Sequence, residues 1–152
     1  MKISVELVKK LRETTQASVA ECRTALEEAK GDLKKAEEML KKKGYEKAVE
    51  KAERKTGQGL IESYIHQNGK VGVLLEILCE TDFVARTAEF KTLAHEIAMQ
   101  IAAMDPKDVK ALLAQEYIRD ASKTTELLIK GAIAKLGENI VVKKFSRFEV
   151  GE

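Results

Sequence analysis

Hydrophobic positions recur along this chain in two different rhythms, and the change comes near residue 60. Before it, apolar residues fall in three short bursts: Leu7, Val8 and Leu11; then Val19, Cys22, Ala25, Leu26 and Ala29; then Leu33, Ala36, Met39 and Leu40. Spacings of three and four place each burst on one face of a helix. Ser4 can cap the first helix. Ser18 and Glu21 make a capping box for the second, each side chain satisfying a free backbone amide of the other. Gly31 supplies a left-handed stop, Asp32 caps the third helix, and Gly44 is expected to close it. Three narrow stripes must be buried against one another, which predicts a three-helix bundle over residues 1–45, near the lower size limit for a core. Residues 46–56 read as a charged connector helix with a thin seam of Ala48, Val49 and Ala52.

The Gly57-Gln58-Gly59 run marks the start of a second module, residues 57–152. Asn68-Gly69 lies between two β-rich runs, the strongest short hairpin signal. Val71, Val73, Leu75 and Ile77 alternate on the second strand, and Leu74 and Leu78 on its other side predict cover on both faces. Phe90, Ala94, Ile97, Ile101 and Met104 then return to helical spacing. Asp105-Pro106 stops that helix and suits a new start at 106–107, with Val109, Leu112, Leu113 and Ile118 apolar over 107–119. A further helix over 123–136 ends at Gly137. Residues 139–150 read as a last strand that returns to the hairpin, because two strands alone are only marginally stable. Phe145 and Phe148 cannot share a face of a regular strand, so either a bulge or an outward-facing aromatic is expected there. The fold class is α+β: a three-helix bundle, a connector helix, and an antiparallel three-stranded sheet packed with helices.

The totals narrow the function. A chain of 152 residues with 44% hydrophobic and 34% charged positions suits a folded, non-disordered protein. With a net charge of +2, the whole gives no case for direct nucleic-acid binding. Residues 1–59 nevertheless hold 15 basic against 11 acidic side chains, and residues 60–152 hold 12 against 14, as two modules with different surfaces would. Lys41, Lys42, Lys43, Lys47, Lys51, Arg54 and Lys55 could meet a phosphate backbone. Their interleaving with Glu37, Glu38, Glu46, Glu50 and Glu53 fits a solvated helix with i,i+4 pairs better.

Catalytic chemistry is hard to find. His66 and His95 are the only histidines, and neither has a metal-ligand partner or a nucleophile at a telling spacing. Cys22 and Cys79 lack the convergent ligands of a zinc site and read as buried thiols of a reducing compartment. The Gly57–Gly59 run has no phosphate-loop lysine. No apolar run reaches the ~18 residues of a membrane helix and no secretory h-region opens the chain, so it reads as cytoplasmic. The expectation is a non-enzyme without metal or cofactor. A small-molecule site built on Glu80, Asp82 and His66 would need a deep apolar pocket beside them.

One junction stands out. Between the second strand and the following helix lies Glu80-Thr81-Asp82-Phe83-Val84-Ala85-Arg86-Thr87, with a large aromatic where junctions are usually polar. Two readings of Phe83 compete. It tucks under the helix and completes the core, or it projects from a turn capped by Thr81, backed by Asp82, toward a partner's apolar pocket.

The segments "LRETTQASVAECRTAL" (11–26) and "EILCETDFVAR" (76–86), in this order and with a terminal "GENIVVKKFSRFE", resemble the signature segments of the bacterial and organellar elongation factor Ts family over essentially the whole chain. The resemblance implies guanine-nucleotide exchange on the GTPase elongation factor Tu, with a ubiquitin-associated-type bundle docking on the GTPase. It carries partner contacts onto Arg12, Val19 and Ala20 of the bundle and onto Thr81, Asp82, Phe83 and Val84. It implies that Phe83 wedges between GTPase helices near the magnesium site while Asp82 supports the displacement. The chain departs from the family pattern at Gln16, usually glycine, at Leu78, usually asparagine, and at Val19 and Ala20, usually larger. It is also shorter than many members between Met104 and the last strand. A second copy of the chain is a further possible partner. The contrasting reading is a helical adaptor or RNA-binding protein acting through the basic residues of 1–55, with the sheet as a dimerisation platform.

Overall fold

The computed structural model describes residues 2–152, so Met1, where the expected first module begins, lies outside them. The helices are α1 (Val5–Thr15), α2 (Val19–Glu28), α3 (Leu33–Glu50), α4 (Asp82–Ala85), α5 (Ala88–Met104), α6 (Val109–Ala114) and α7 (Thr125–Leu136). The strands are β1 (Gln58–Ile65), β2 (Val71–Cys79), β3 (Glu116–Tyr117), β4 (Asp120–Thr124) and β5 (Val141–Glu149). The architecture is α+β.

The first three helices bury Leu11, Cys22, Ala25, Leu26, Ala29, Ala36 and Leu40 in one small core. Their caps form as the residue types require. Ser4 Oγ accepts from the Leu7 amide, and both bonds of the Ser18–Glu21 capping box are present. Glu21 also accepts from Lys47 Nζ of α3 at 2.6 Å, with Lys43 Nζ 3.7 Å away. The Lys47 bond first, then those from Ser18, hold the Glu21 carboxyl down at about 2. Val19 and Met39, expected inside, point outward at 54% and 37% exposure, beyond the few side chains that so small a three-helix core encloses.

Gly44 does not end the third helix. α3 runs unbroken from Leu33 to Glu50 and so takes in the first part of the expected connector. The glycine is there for space: a Cβ on Gly44 would stand 2.8 Å from Cβ of Ala134 on α7. Beyond this crossing, Ala48 enters the second core, whereas Val49 and Ala52 of the expected seam face solvent. α3 therefore contributes Ala36 and Leu40 to one core and Ala48 to the other.

In the second module β1, β2 and β5 form an antiparallel sheet in the order β1-β2-β5. The turn at 66–70 closes with the Gly69 amide donating to the His66 carbonyl, Gly69 left-handed, and Asn68 Oδ1 accepting from the Lys70 amide. Val73, Leu75, Ile77 and Cys79 point from β2 into the core, against Phe90, Ala94, Ile97 and Ile101 of α5. The other face is not covered as expected: Leu74 is 52% exposed and Leu78 half-buried. The β2–β5 register slips once between Glu76 and Ile77, before either phenylalanine. Phe145 then faces the core opposite Leu75, and Phe148 stands on the open face opposite Gly72.

The stretch after α5 departs most from expectation. Met104 is half-exposed, Asp105 takes a left-handed cap, and no helix starts at 106–107; α6 begins at Val109 under an Asp108 cap. Instead of a helix to residue 119, β3 and β4 form a small hairpin that leaves Ile118 exposed. Contacts from α5 impose this. The buried Gln100 amide donates to the Glu116 carbonyl and accepts from the Ile118 amide, while Tyr117 Oη and Arg119 Nε both donate to Glu96 Oε2 at 2.6 Å. These bonds satisfy backbone groups that a helix would have paired locally. α7 begins at Thr125 rather than 123, capped by Thr124, and ends at left-handed Gly137. Among the described residues no helix is long and apolar enough to cross a membrane.

The Gly44 crossing makes a thermal-melt prediction. Alanine is the better helix former by ~1 kcal/mol, yet overpacking costs ~1–3 kcal/mol, so Gly44→Ala is expected to destabilise the wild type. In an Ala134→Gly background the same substitution is expected to stabilise.

Candidate functional site

β2 ends at Cys79 and the chain turns sharply before α5. Thr81 is extended and caps α4, its hydroxyl accepting from the Val84 amide at 3.3 Å. The buried Cys79 thiol donates to the Thr81 carbonyl at 3.1 Å. Burial raises the pKa of that thiol, keeping it protonated and able to donate. At the far end Thr87 caps α5 through the Phe90 amide and donates its hydroxyl to the Val84 carbonyl at 2.8 Å. One turn of helix is thus capped at its start and bonded through a second cap at its end.

Within that turn, successive side chains go opposite ways. Val84 and Ala85 are buried in the core beside Phe90. Phe83 projects outward with 84% of its surface exposed. Asp82, also exposed, pairs with Arg86 one turn on, and this bond holds its carboxyl below the usual range. Of the four residues expected to meet a partner here, Thr81, Asp82 and Phe83 are exposed. Val84 is the exception: at 7% exposure it anchors the turn and presents no surface.

The second expected patch is the corner between α1 and α2. Arg12, Val19 and Ala20 are all exposed, and Arg12 Nε donates to the Ala17 carbonyl at 3.2 Å across the corner. Gln16 caps α1 in the left-handed region (φ 57°), with its amide donating to the Arg12 carbonyl at 2.9 Å. It thus adopts the backbone for which glycine is the usual choice.

The residues of the small-molecule reading are not brought together. His66 lies at the hairpin turn against Tyr64 Oη, at the opposite end of β2 from Glu80 and Asp82. An open cleft of about 850 Å³ lies between the bundle and helices α5 and α7, but none of these three residues lines it. His95 packs edge-on to Tyr64, with Glu62 at 3.7 Å. In the basic run, Lys41 pairs with Glu37, and Lys43 and Lys47 approach Glu21.

Sequence reasoning missed two residues of the site, Glu138 and Asn139, which reach the turn from 57 to 59 positions away. The only signal was their place in the "GENIVV" segment.

Comparison with known proteins places the whole chain in a family. A family profile described as Elongation factor TS matches residues 80–152, the turn included. Elongation factor Ts of Coprothermobacter proteolyticus is 45% identical over 197 aligned positions that cover all of both chains. The chain belongs to the elongation factor Ts family.

Two further family members are similarly close. Elongation factor Ts of Thermotoga neapolitana is 44% identical over all of this chain and 99% of its own length. That of Thermosipho melanesiensis is 43% identical over 99% of this chain and all of its own. Since 197 positions are aligned to a chain of 152, the Coprothermobacter member holds about 45 residues for which this one has no counterpart.

The left-handed Gln16 carries a measurable backbone strain. An L-residue pays ~1–2 kcal/mol in that conformation. Gln16→Gly is therefore expected to stabilise the protein by roughly 1 kcal/mol, seen as a melting temperature about 2–5 °C higher.

Proposed function

We propose that this protein is a cytoplasmic guanine-nucleotide exchange factor for elongation factor Tu, promoting GDP release so that GTP can reload. The observation that carries the mechanism is Phe83: a large apolar ring, 84% exposed, on a turn capped at one end and bonded to a second cap at the other. An exposed ring is poorly placed in water and recovers about 1.5–3 kcal/mol when a partner buries it. The reading is that the ring enters the GTPase between helices near its magnesium site, with Asp82 at the rim, while Arg12, Val19 and Ala20 dock the bundle.

Exchange asks for no acid, base or nucleophile here. The factor must bind the nucleotide-free GTPase better than the loaded one, and linkage makes the effect mutual: affinity lost by the nucleotide in the presence of the factor equals affinity lost by the factor in the presence of the nucleotide. Moving the phosphate loop and magnesium removes charge that balances the phosphates. Each ~1.4 kcal/mol of such coupling is tenfold in affinity. A wedge delivers that coupling only if it resists being pushed back, which the capped turn and the buried Val84 and Ala85 supply.

Phe83→Ala is expected to slow stimulated GDP release from elongation factor Tu by roughly 10- to 150-fold, matching ~1.5–3 kcal/mol of lost burial. Its melting temperature should match wild type, because the ring touches little of its own molecule. Fast release by the variant, or its unfolding, would sink the wedge.

The open face of the sheet favours a second partner, another copy of this chain. Ile61, Ile65, Leu74, Phe148 and Val150 are all more than half exposed, on or beside β1, β2 and β5. A sheet face this apolar is ordinarily covered. Sedimentation velocity should find a concentration-dependent dimer, reduced to monomer by Phe148→Lys. A wild type that is monomeric at high concentration would refute the pairing.

A further inference from the structure

We propose that Glu138 and Asn139 are positioning residues for exchange: a two-residue bracket that holds the Phe83 turn in its working pose and ties it to the end of α3. This rests on the wedge reading above.

After α7, left-handed Gly137 turns the chain, and the next two residues reach different segments. The Glu138 carboxylate meets the residues just before the wedge. Its Oε1 accepts from the Glu80 amide at 3.1 Å and the Thr81 amide at 2.9 Å, and its Oε2 accepts from Thr81 Oγ1 at 2.7 Å. The two amides lie just past the end of β2, where no strand ladder serves them. By accepting the Thr81 hydroxyl's hydrogen bond, Glu138 also aims that oxygen's lone pairs toward the Val84 amide, the capping bond that starts the turn. A carboxylate accepting three bonds is a stiff support, since charge-assisted bonds are short and directional.

Asn139 is 3% exposed and works the other way. Its amide donates to Glu80 Oε2 at 2.8 Å, while its side-chain Nδ2 donates to the carbonyls of Ala52 at 3.3 Å and Arg54 at 2.9 Å. Arg54 approaches the same Glu80 oxygen at 3.7 Å. Those carbonyls belong to the segment that follows α3, whose first half packs in the bundle. The turn and the bundle's long helix are thus linked through one dipeptide with directional bonds.

A role in pose, distinct from a role in folding, follows from what else holds α4. Val84 and Ala85 keep the turn in the core without help from Glu138. Removing the carboxylate frees the direction of Thr81 and Phe83 and leaves the apolar anchor in place.

The test is release of fluorescent GDP from elongation factor Tu at saturating factor, comparing wild type, Glu138→Ala, Glu138→Gln, Phe83→Ala and the Phe83→Ala/Glu138→Ala double variant. Glu138→Ala is expected to lower the saturating rate about tenfold, equivalent to about 1.4 kcal/mol. Glu138→Gln, which keeps an acceptor for the two amides, should fall between it and wild type. In the Phe83→Ala background, Glu138→Ala should have no further effect, because the pose of an absent ring cannot matter. Amide hydrogen exchange of the free Glu138→Ala protein should quicken at residues 80–84 and stay unchanged along β2. An equal slowing with and without Phe83 would overturn the proposal, as would an unaltered rate for Glu138→Ala beside a slow Phe83→Ala. Global unfolding of both Glu138 variants would overturn it too, by making the residue a folding requirement. A fast Phe83→Ala instead defeats the wedge itself, so the two failures are told apart.

Discussion

The close crossing of α3 and α7 is the constraint on which the arrangement depends. A helix interior normally disfavours glycine, by roughly 1 kcal/mol relative to alanine. Here the missing side chain at Gly44 lets the two backbones approach, and α3 passes from one hydrophobic core into the next without a break. A rod shared by two cores leaves little freedom between them. The bundle corner with Arg12, Val19 and Ala20 and the turn with Phe83 therefore sit on one continuous support. The Lys47–Glu21 bond also ties the second half of α3 to the start of α2.

Presenting a large apolar ring to water is unfavourable, and a flexible turn would fold it back against the protein. The turn avoids this by division of labour between neighbours: Val84 and Ala85 are buried, and their burial dictates that Phe83, on the opposite side of one helical turn, faces out. Thr81, Thr87 and the Cys79 thiol hold the backbone to that solution. The Asp82–Arg86 pair is exposed and adds little to stability. The pair stands next to Phe83 in the chain, on the exposed side of the turn.

The sheet shows the same separation of faces. Alternation on β2 sends Val73, Leu75, Ile77 and Cys79 to the helices and leaves Leu74 with Phe148, Ile61 and Ile65 on the open side. In the stretch between α5 and α7, a helix of six residues and a small hairpin make the connection. Gln100 and Glu96 of α5 hold that hairpin in place through backbone and side-chain bonds.

Local chemistry made much of this legible. The Ser18–Glu21 box, the Asp32 and Thr81 caps, the Asn68-Gly69 turn, the β2 alternation and the Gly137 stop all depend on residues within about five positions of each other, and each formed. The odd spacing of Phe145 and Phe148 already required that they face apart or straddle a bulge; they face apart. What the amino-acid order could not decide was which apolar side chains would find neighbours. Val19, Met39, Val49 and Met104 follow helical spacing yet stay in water, because burial depends on what another element brings to that place. Gly44 looked like a terminator because the reason for it, Ala134, lies ninety positions away. The hairpin at 116–124 and the Glu138–Asn139 bracket are likewise products of long-range hydrogen bonds, invisible to periodicity. The sequence by itself determined the local conformations and the presence of an aromatic at a capped turn; only the tertiary structure decided which way that ring faces and what holds it there, since both depend on contacts between segments far apart in the chain.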